Sequence, residues 1–162
     1  ARHDGSWTHM DKAFKRAEGL LENWMKQHHD KDCYPPTIIN ITDGEYNGVS
    51  HDEMQQLSNQ LKSMFTNDGN VLLFNIHVVP GHTESVAFPA SLGELNHNSY
   101  GEKLYNMASL LPLNYNEQIR AIFGDKQTDI RYHAMGVNTG MERLVKMMKI
   151  GTLSSMLVNN NQ

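Results

Sequence analysis

Apolar and polar residues recur along this chain with two different periods. In residues 8–29, Ala13, Phe14, Ala17, Leu20, Leu21, Trp24 and Met25 fall at spacings of three and four. That spacing predicts an amphipathic helix with these side chains inward. Ser6 or Thr8 stands where an N-cap belongs, and Asp11 puts an acid in the first turn. Pro35-Pro36 then ends any helix. Residues 37–45, Thr-Ile-Ile-Asn-Ile-Thr-Asp-Gly-Glu, are apolar and β-branched, as in a strand buried on both faces. A second helix is predicted over 50–65. Ser50 and Glu53 form its capping box, and Met54, Leu57, Leu61, Met64 and Phe65 form its apolar face.

Residues 66–70 read as a turn and 71–79 as a second buried strand. A loop follows, with residues 86–89 extended and one helical turn at 91–95. Residues 98–110 read as helical, with Leu104, Tyr105 and the stretch 107–111 inward. Pro112 separates this segment from a short helix over 113–123. Residues 130–137 are a weaker third strand. Asn138 or Thr139 opens a last helix, with Met141, Leu144, Val145 and Met148 on its apolar face. A polar tail closes the chain.

Strands alternating with helices predict right-handed crossovers and a mostly parallel sheet with helices on both faces. The expected class is therefore α/β, a three-layer Rossmann-like fold, in one domain over 1–162. Three strands are fewer than the five or six of a doubly wound sheet, so the sheet is expected to be incomplete.

Composition narrows the partners. Of the 162 residues 39% are hydrophobic, enough for a core, and the ten methionines are read as core filling. The net charge is -4 and no basic run occurs, which argues against nucleic acid. Cys33 is the one cysteine, so an intrachain disulfide is excluded and a reducing, cytoplasmic setting is expected. No apolar run reaches transmembrane length, so no membrane partner is expected. The chain opens on Ala1-Arg2-His3 without an initiator methionine, as after a cut or processing.

The candidate chemistry lies at Asp43. A carboxylate at the carboxyl end of a buried parallel strand faces the crevice where open α/β sheets bind ligands. Gly44 lets the chain turn away and Glu45 adds a second acid; a plain Asp-Gly turn is the other reading. None of the nine histidines has the i, i+4 spacing of a zinc helix, so they are read as helix-end or surface residues. Ser85, Ser109 and Ser154 lack a Gly-x-Ser-x-Gly setting, and Cys33 sits in a Pro-flanked loop as an unreactive thiol. Asn40 and Asn75, polar inside apolar strands, are expected to hydrogen-bond across the sheet or to loops.

Several stretches together resemble the von Willebrand factor A domain. They are Ser6-Trp7-Thr8-His9-Met10-Asp11-Lys12-Ala13, Pro35-Pro36 with residues 37–45, and Gly69-Asn70-Val71-Leu72-Leu73-Phe74-Asn75-Ile76-His77-Val78. Phe88-Pro89, residues 104–112 and Ile150-Gly151-Thr152 complete the set. The set looks like bacterial A-domain proteins found alongside protein phosphatases and kinases. The resemblance implies a divalent cation such as Mg²⁺ at the top of the sheet, in a metal-ion-dependent adhesion site. Its ligands are an Asp-x-Ser-x-Ser motif on the first strand, a loop threonine and an aspartate ending the fourth strand. By position, Thr8 matches the threonine and Asp43 the aspartate. No Asp-x-Ser-x-Ser precedes Thr8. Asp4-Gly5-Ser6-Trp7-Thr8 is similarly spaced, but the three residues before it are too few for a strand. The chain thus looks like the C-terminal two thirds of such a domain.

The expected function is a non-enzymatic, protein-binding module of a bacterial signalling or stress-response system. It would take an acidic group of a protein partner on the metal, with metal bound weakly by this chain. The alternative is a metal-assisted phosphoryl-transfer or hydrolase domain using Asp43 and Glu45. In the family's strand order Thr37–Thr42 would be left as a sheet edge, so self-association through it is expected.

Overall fold

A computed structural model of the chain describes residues 8–28, 31–81, 84–95 and 98–151. The first apolar stripe folds as α1 (Met10–His28), which buries Met10, Phe14 and Leu21. Leu20 is on its outer side, 55% exposed. The N–H of Ala13 reaches the carbonyl of His9 at 3.3 Å, so the helix is entered at His9 and Thr8 is not its cap. Ser6 lies outside the described residues.

Strand β1 (Thr37–Thr42) follows. Ser50 then caps α2 (His51–Ser63) by the expected reciprocal box. The Ser50 hydroxyl accepts the Glu53 N–H at 3.2 Å, and the Glu53 carboxylate accepts the Ser50 N–H at 2.9 Å. The predicted turn is a small hairpin of β2 (Phe65–Thr66) and β3 (Gly69–Asn70). Phe65, expected on the apolar face of the second helix, is 71% exposed because the helix ends before it. Next come β4 (Leu72–His77), β5 (Val86–Ala87), a 3₁₀ turn at Leu92–Leu95, and α3 (Ser99–Met107). Then follow α4 (Asn116–Phe123), β6 (Met135–Val137) and α5 (Met141–Gly151).

The main sheet has the order β1-β4-β6-β5. β1 and β6 flank β4 in parallel, and β5 pairs antiparallel with β6. The fold is therefore α/β with a mixed, mostly parallel sheet. The fourth strand, β5, was expected only as an extended segment, and the third predicted strand shrinks to three residues.

All six residues of β4 are buried, so both faces of the sheet need cover. On one face Leu73 and Met135 pack with Phe14, Met54, Leu61, Leu104 and Met107 from α1, α2 and α3. On the other, Leu72, Phe74 and Ile76 pack with Ile119, Met147 and Ile150 from α4 and α5. Phe88, just after β5, is fully buried at a left-handed φ of 51°. Its edge-to-face contacts with Phe74 and Phe123 favour keeping it there.

Two expectations about burial are corrected. β1 is half-buried rather than buried on both faces, and Ile41 is 57% exposed, because among the described residues β1 has a strand neighbour on one side only. In α5 the inward residues are Met147, Ile150 and Gly151. Met141, Val145 and Met148, expected inward, are 75%, 44% and 42% exposed. Gly151 sets that rotation. A Cβ there would lie 2.8 Å from Phe74 Cε2 and 3.2 Å from Thr37 Cγ2, so the helix meets the sheet on its glycine side.

Neighbouring methionines should therefore behave oppositely. Met147→Ala empties a fully buried position and should cost roughly 2–5 kcal/mol. Met148→Ala should stay within about 0.5 kcal/mol, measured on the monomer by urea unfolding. Equal losses would mean the helix is rotated from this placement.

Candidate functional site

Polar residues gather at the carboxyl ends of β1 and β4. Thr42 and His77 are paired in register there, as the last residues of their strands. Beyond Thr42 the chain turns at once. The Thr42 hydroxyl accepts the Gly44 N–H at 3.0 Å, and Asp43 Oδ1 accepts the Glu45 N–H at 3.2 Å. This is an Asx turn, so the turn reading of Asp-Gly is correct as local structure. Gly44 is required in it. Its φ is +90°, and an added Cβ would sit 2.7 Å from Tyr100 Cβ and 2.9 Å from His77 Nε2.

His77 holds this turn from below. It is 1% exposed, whereas the histidines were expected at surfaces and helix ends. Its Nε2 lies 2.9 Å from the carbonyl oxygen of Asp43. A carbonyl only accepts, so Nε2 carries the proton and Nδ1 is the bare nitrogen. Nδ1 is buried without a hydrogen-bond partner and faces Gly101 of α3, where a Cβ would come within 3.3 Å. Burial pushes the His77 pKa below its ordinary 6.5, against the opposing pull of the Asp43 carbonyl and carboxylate. One layer deeper, Asn40 donates to Asn75 Oδ1 at 2.9 Å, and Asn75 donates to the Leu104 carbonyl at 2.7 Å. The asparagines do link the strands, and the chain of bonds extends to α3.

Asp43 and Glu45 are both exposed, and Thr8 is exposed ahead of α1. The Thr8 carbonyl accepts the Asn47 N–H at 3.0 Å, and Gly48 lies against the His9 ring. The loop after Asp43 is thereby docked on the segment that leads into α1. Thr8 and Asp43 come to the same end of the molecule through main-chain contacts. Among the described residues no hydrogen bond joins their side chains. Asp4 and Ser6 lie outside the described residues.

The donors suit Mg²⁺ in kind, being hard oxygens, but are few for it: one hydroxyl and one carboxylate, whose Oδ1 already faces an N–H. Among the described residues no group of three or more His, Cys, Asp or Glu is placed to hold a metal ion. No helix among them is long and apolar enough to cross a membrane. Tyr46, Tyr100 and Lys103 stand around the turn, with Lys103 Nζ 5.3 Å and 5.9 Å from the centres of the Tyr100 and Tyr46 rings. His77 does not stand out in the sequence, although it has the mark that singles out Asp43, a polar residue at the end of a buried strand. Ser109 serves the fold, since its hydroxyl accepts the Leu73 N–H at 2.9 Å.

Clefts of about 460 and 450 Å³ lie elsewhere. One is lined by Val86, Phe123 and Lys126 and the other by Lys62, Leu72 and Pro112. Compared with family models, curated proteins and solved structures, the chain matches none.

Two outcomes are expected. Gly44→Ala should destabilise the fold by about 1–3 kcal/mol through backbone strain, and perturb the amide resonances of Tyr100. An unchanged thermal midpoint would show that the turn is loose. The second outcome concerns pH. Burial and the charge of Lys62 lower His133 from 6.5 to about 4, and burial lowers His77. Below 6.5 the unfolded chain takes up protons that the folded chain refuses, so stability should fall as pH drops from 6.5 toward 4. His133→Phe, which keeps the ring stacked on Tyr105, should flatten the thermal midpoint across that window. A slope unchanged by this substitution would remove His133 from the account.

Proposed function

We propose that this chain is a protein-binding module of the von Willebrand factor A type, with its binding surface at the carboxyl end of β1 around Asp43. The carrying observation is the 3.0 Å bond from Asn47 N–H to the Thr8 carbonyl, which ties the loop after Asp43 to the segment entering α1. The parallel order β1-β4-β6 supports the reading, since it puts Asp43 at the carboxyl ends of parallel strands, where open α/β sheets bind ligands. A bound Mg²⁺ would offer one coordination position to an acidic group of the partner. Thr8 and Asp43 would supply its protein oxygens, and the buried His77 would keep the Asp43 main chain in place.

With one carboxylate and one hydroxyl, Mg²⁺ affinity in this chain should be weak, so position is a better readout than affinity. Mn²⁺ titrated into labelled protein should broaden the amide resonances of Thr8, Asp43 and Glu45 first. Asp43→Ala should abolish that pattern, and calorimetry with Mg²⁺ should show no micromolar binding. Broadening centred on other carboxylates would sink the site. Turnover of phosphoester substrates with Mg²⁺ or Mn²⁺, lost in Asp43→Ala, would replace the binding reading with the enzymatic one.

A further inference from the structure

β1 is an edge strand with features of an interface. The Pro36 carbonyl accepts the Leu72 N–H at 3.3 Å, and the Thr42 carbonyl accepts the Val78 N–H at 2.8 Å. Main-chain groups alternate in direction along a strand, so even-numbered residues of β1 face β4. The N–H and C=O groups of Thr37, Ile39 and Ile41 face the open side, where β1 has no strand neighbour among the described residues. Natural edges are blunted by charge, proline or a bulge. Thr37–Thr42 has no charged residue and no proline, and it pairs with β4 without a break in register.

The helix above this edge exposes apolar side chains on the matching side. Gly151 rests on Thr37 and Phe74, so that side of α5 faces β1. Met148 and Met141 stand three and ten residues before Gly151 on the same side of the helix, beyond Leu144, which packs on the core. Met148 and Met141 are 42% and 75% exposed. The charges of α5 lie elsewhere on it, where Lys146 pairs with Glu142 at 2.7 Å. Ile39 packs into the core beneath α5, and Ile41, two residues on and so on the same sheet face, is 57% exposed. An open ladder thus runs beside an apolar stripe contributed by both strand and helix.

We infer that the chain forms a two-fold dimer by antiparallel pairing of β1 with β1 of a second copy, making one continuous sheet. A second copy fits because the surface complements itself. Only Thr37, Ile39 and Ile41 offer groups to the edge, so odd-numbered residues must face odd-numbered ones. The centred register sets Ile39 against Ile39 of the copy and Thr37 against Ile41, each pair exchanging both N–H···O=C bonds. Pairing stops at Pro35-Pro36, which carry no N–H. The same two-fold axis brings α5 beside α5 of the copy on one face of the sheet, apolar stripe to apolar stripe, without opposing charges. An interface of this kind is isologous and closes at two copies. It does not depend on the metal reading, since Asp43 and Glu45 lie beyond the paired residues.

The test is sedimentation equilibrium of the 162-residue chain over a micromolar range, with variants at exposed positions. The wild type should reach twice the monomer mass. Ile41→Lys should be monomeric with unchanged circular dichroism, and Met148→Glu should raise the dimer dissociation constant at least tenfold. Phe65→Lys, exposed on the β2–β3 hairpin, should leave it unchanged. Hydrogen exchange should show the Thr37, Ile39 and Ile41 amides slow in the dimer and fast in the Ile41→Lys monomer. A wild type that stays monomeric, whether those amides are fast or slow, overturns the inference. So does a dimer that survives Ile41→Lys, or an open-ended series of oligomers.

Discussion

The full burial of β4 is the constraint from which the architecture follows. Its six residues face cover on both sides, and its main chain bonds to β1 on one edge and β6 on the other. Such a strand is stable only inside a layered structure, because unpaired polar main chain and bare apolar surface are both unfavourable. The apolar cluster under α1, α2 and α3 is one cover, and the cluster under α4 and α5 is the other. Ser109 extends the logic below β4, taking the Leu73 N–H where the β6 ladder is too short to reach.

The same strand organises the candidate site. β4 ends at His77, and that imidazole grips the main chain of Asp43 rather than its carboxylate. The carboxylate therefore stays exposed while the backbone beneath it is held. Two glycines make this possible: Gly44 admits the ring from the loop side and Gly101 from the helix side. A buried neutral imidazole is a suitable support, since it donates one bond and carries no charge that burial would penalise. The cost is a bare Nδ1 inside the protein and sensitivity to acid. Asn40 and Asn75 repeat the theme one step lower, joining β1, β4 and α3 by side-chain amides.

β1 stands in contrast to β4. Both are parallel and rich in apolar residues, yet one is wholly buried and the other half open. The difference comes from position in the sheet, and it travels outward to α5. A helix over an edge strand has one side above the core and one side over open space. Met147 and Met148, adjacent in sequence, sit on either side of that divide.

What the sequence determined by itself were the local matters. Proline pairs, the Ser50–Glu53 box and the two apolar periods mark where elements begin, end and turn, because those signals act over a few residues. The α/β class, the buried β4 and the Asp43 turn were legible for that reason. What only the tertiary structure decided were matters of neighbourhood. Periodicity cannot tell which side of α5 faces the sheet, since Met141, Val145 and Met148 satisfy the helical period with Leu144 as well as Met147 and Ile150 do, and of the expected face only Leu144 packs on the core. It does not show that β1 is an edge either, since an edge strand and a central strand can share one composition; that expectation came from the resemblance, and the strand order agrees with it. Nor could it place His77 under Asp43. That contact joins residues 34 apart in the chain, and it exists because parallel pairing sets the ends of β1 and β4 side by side.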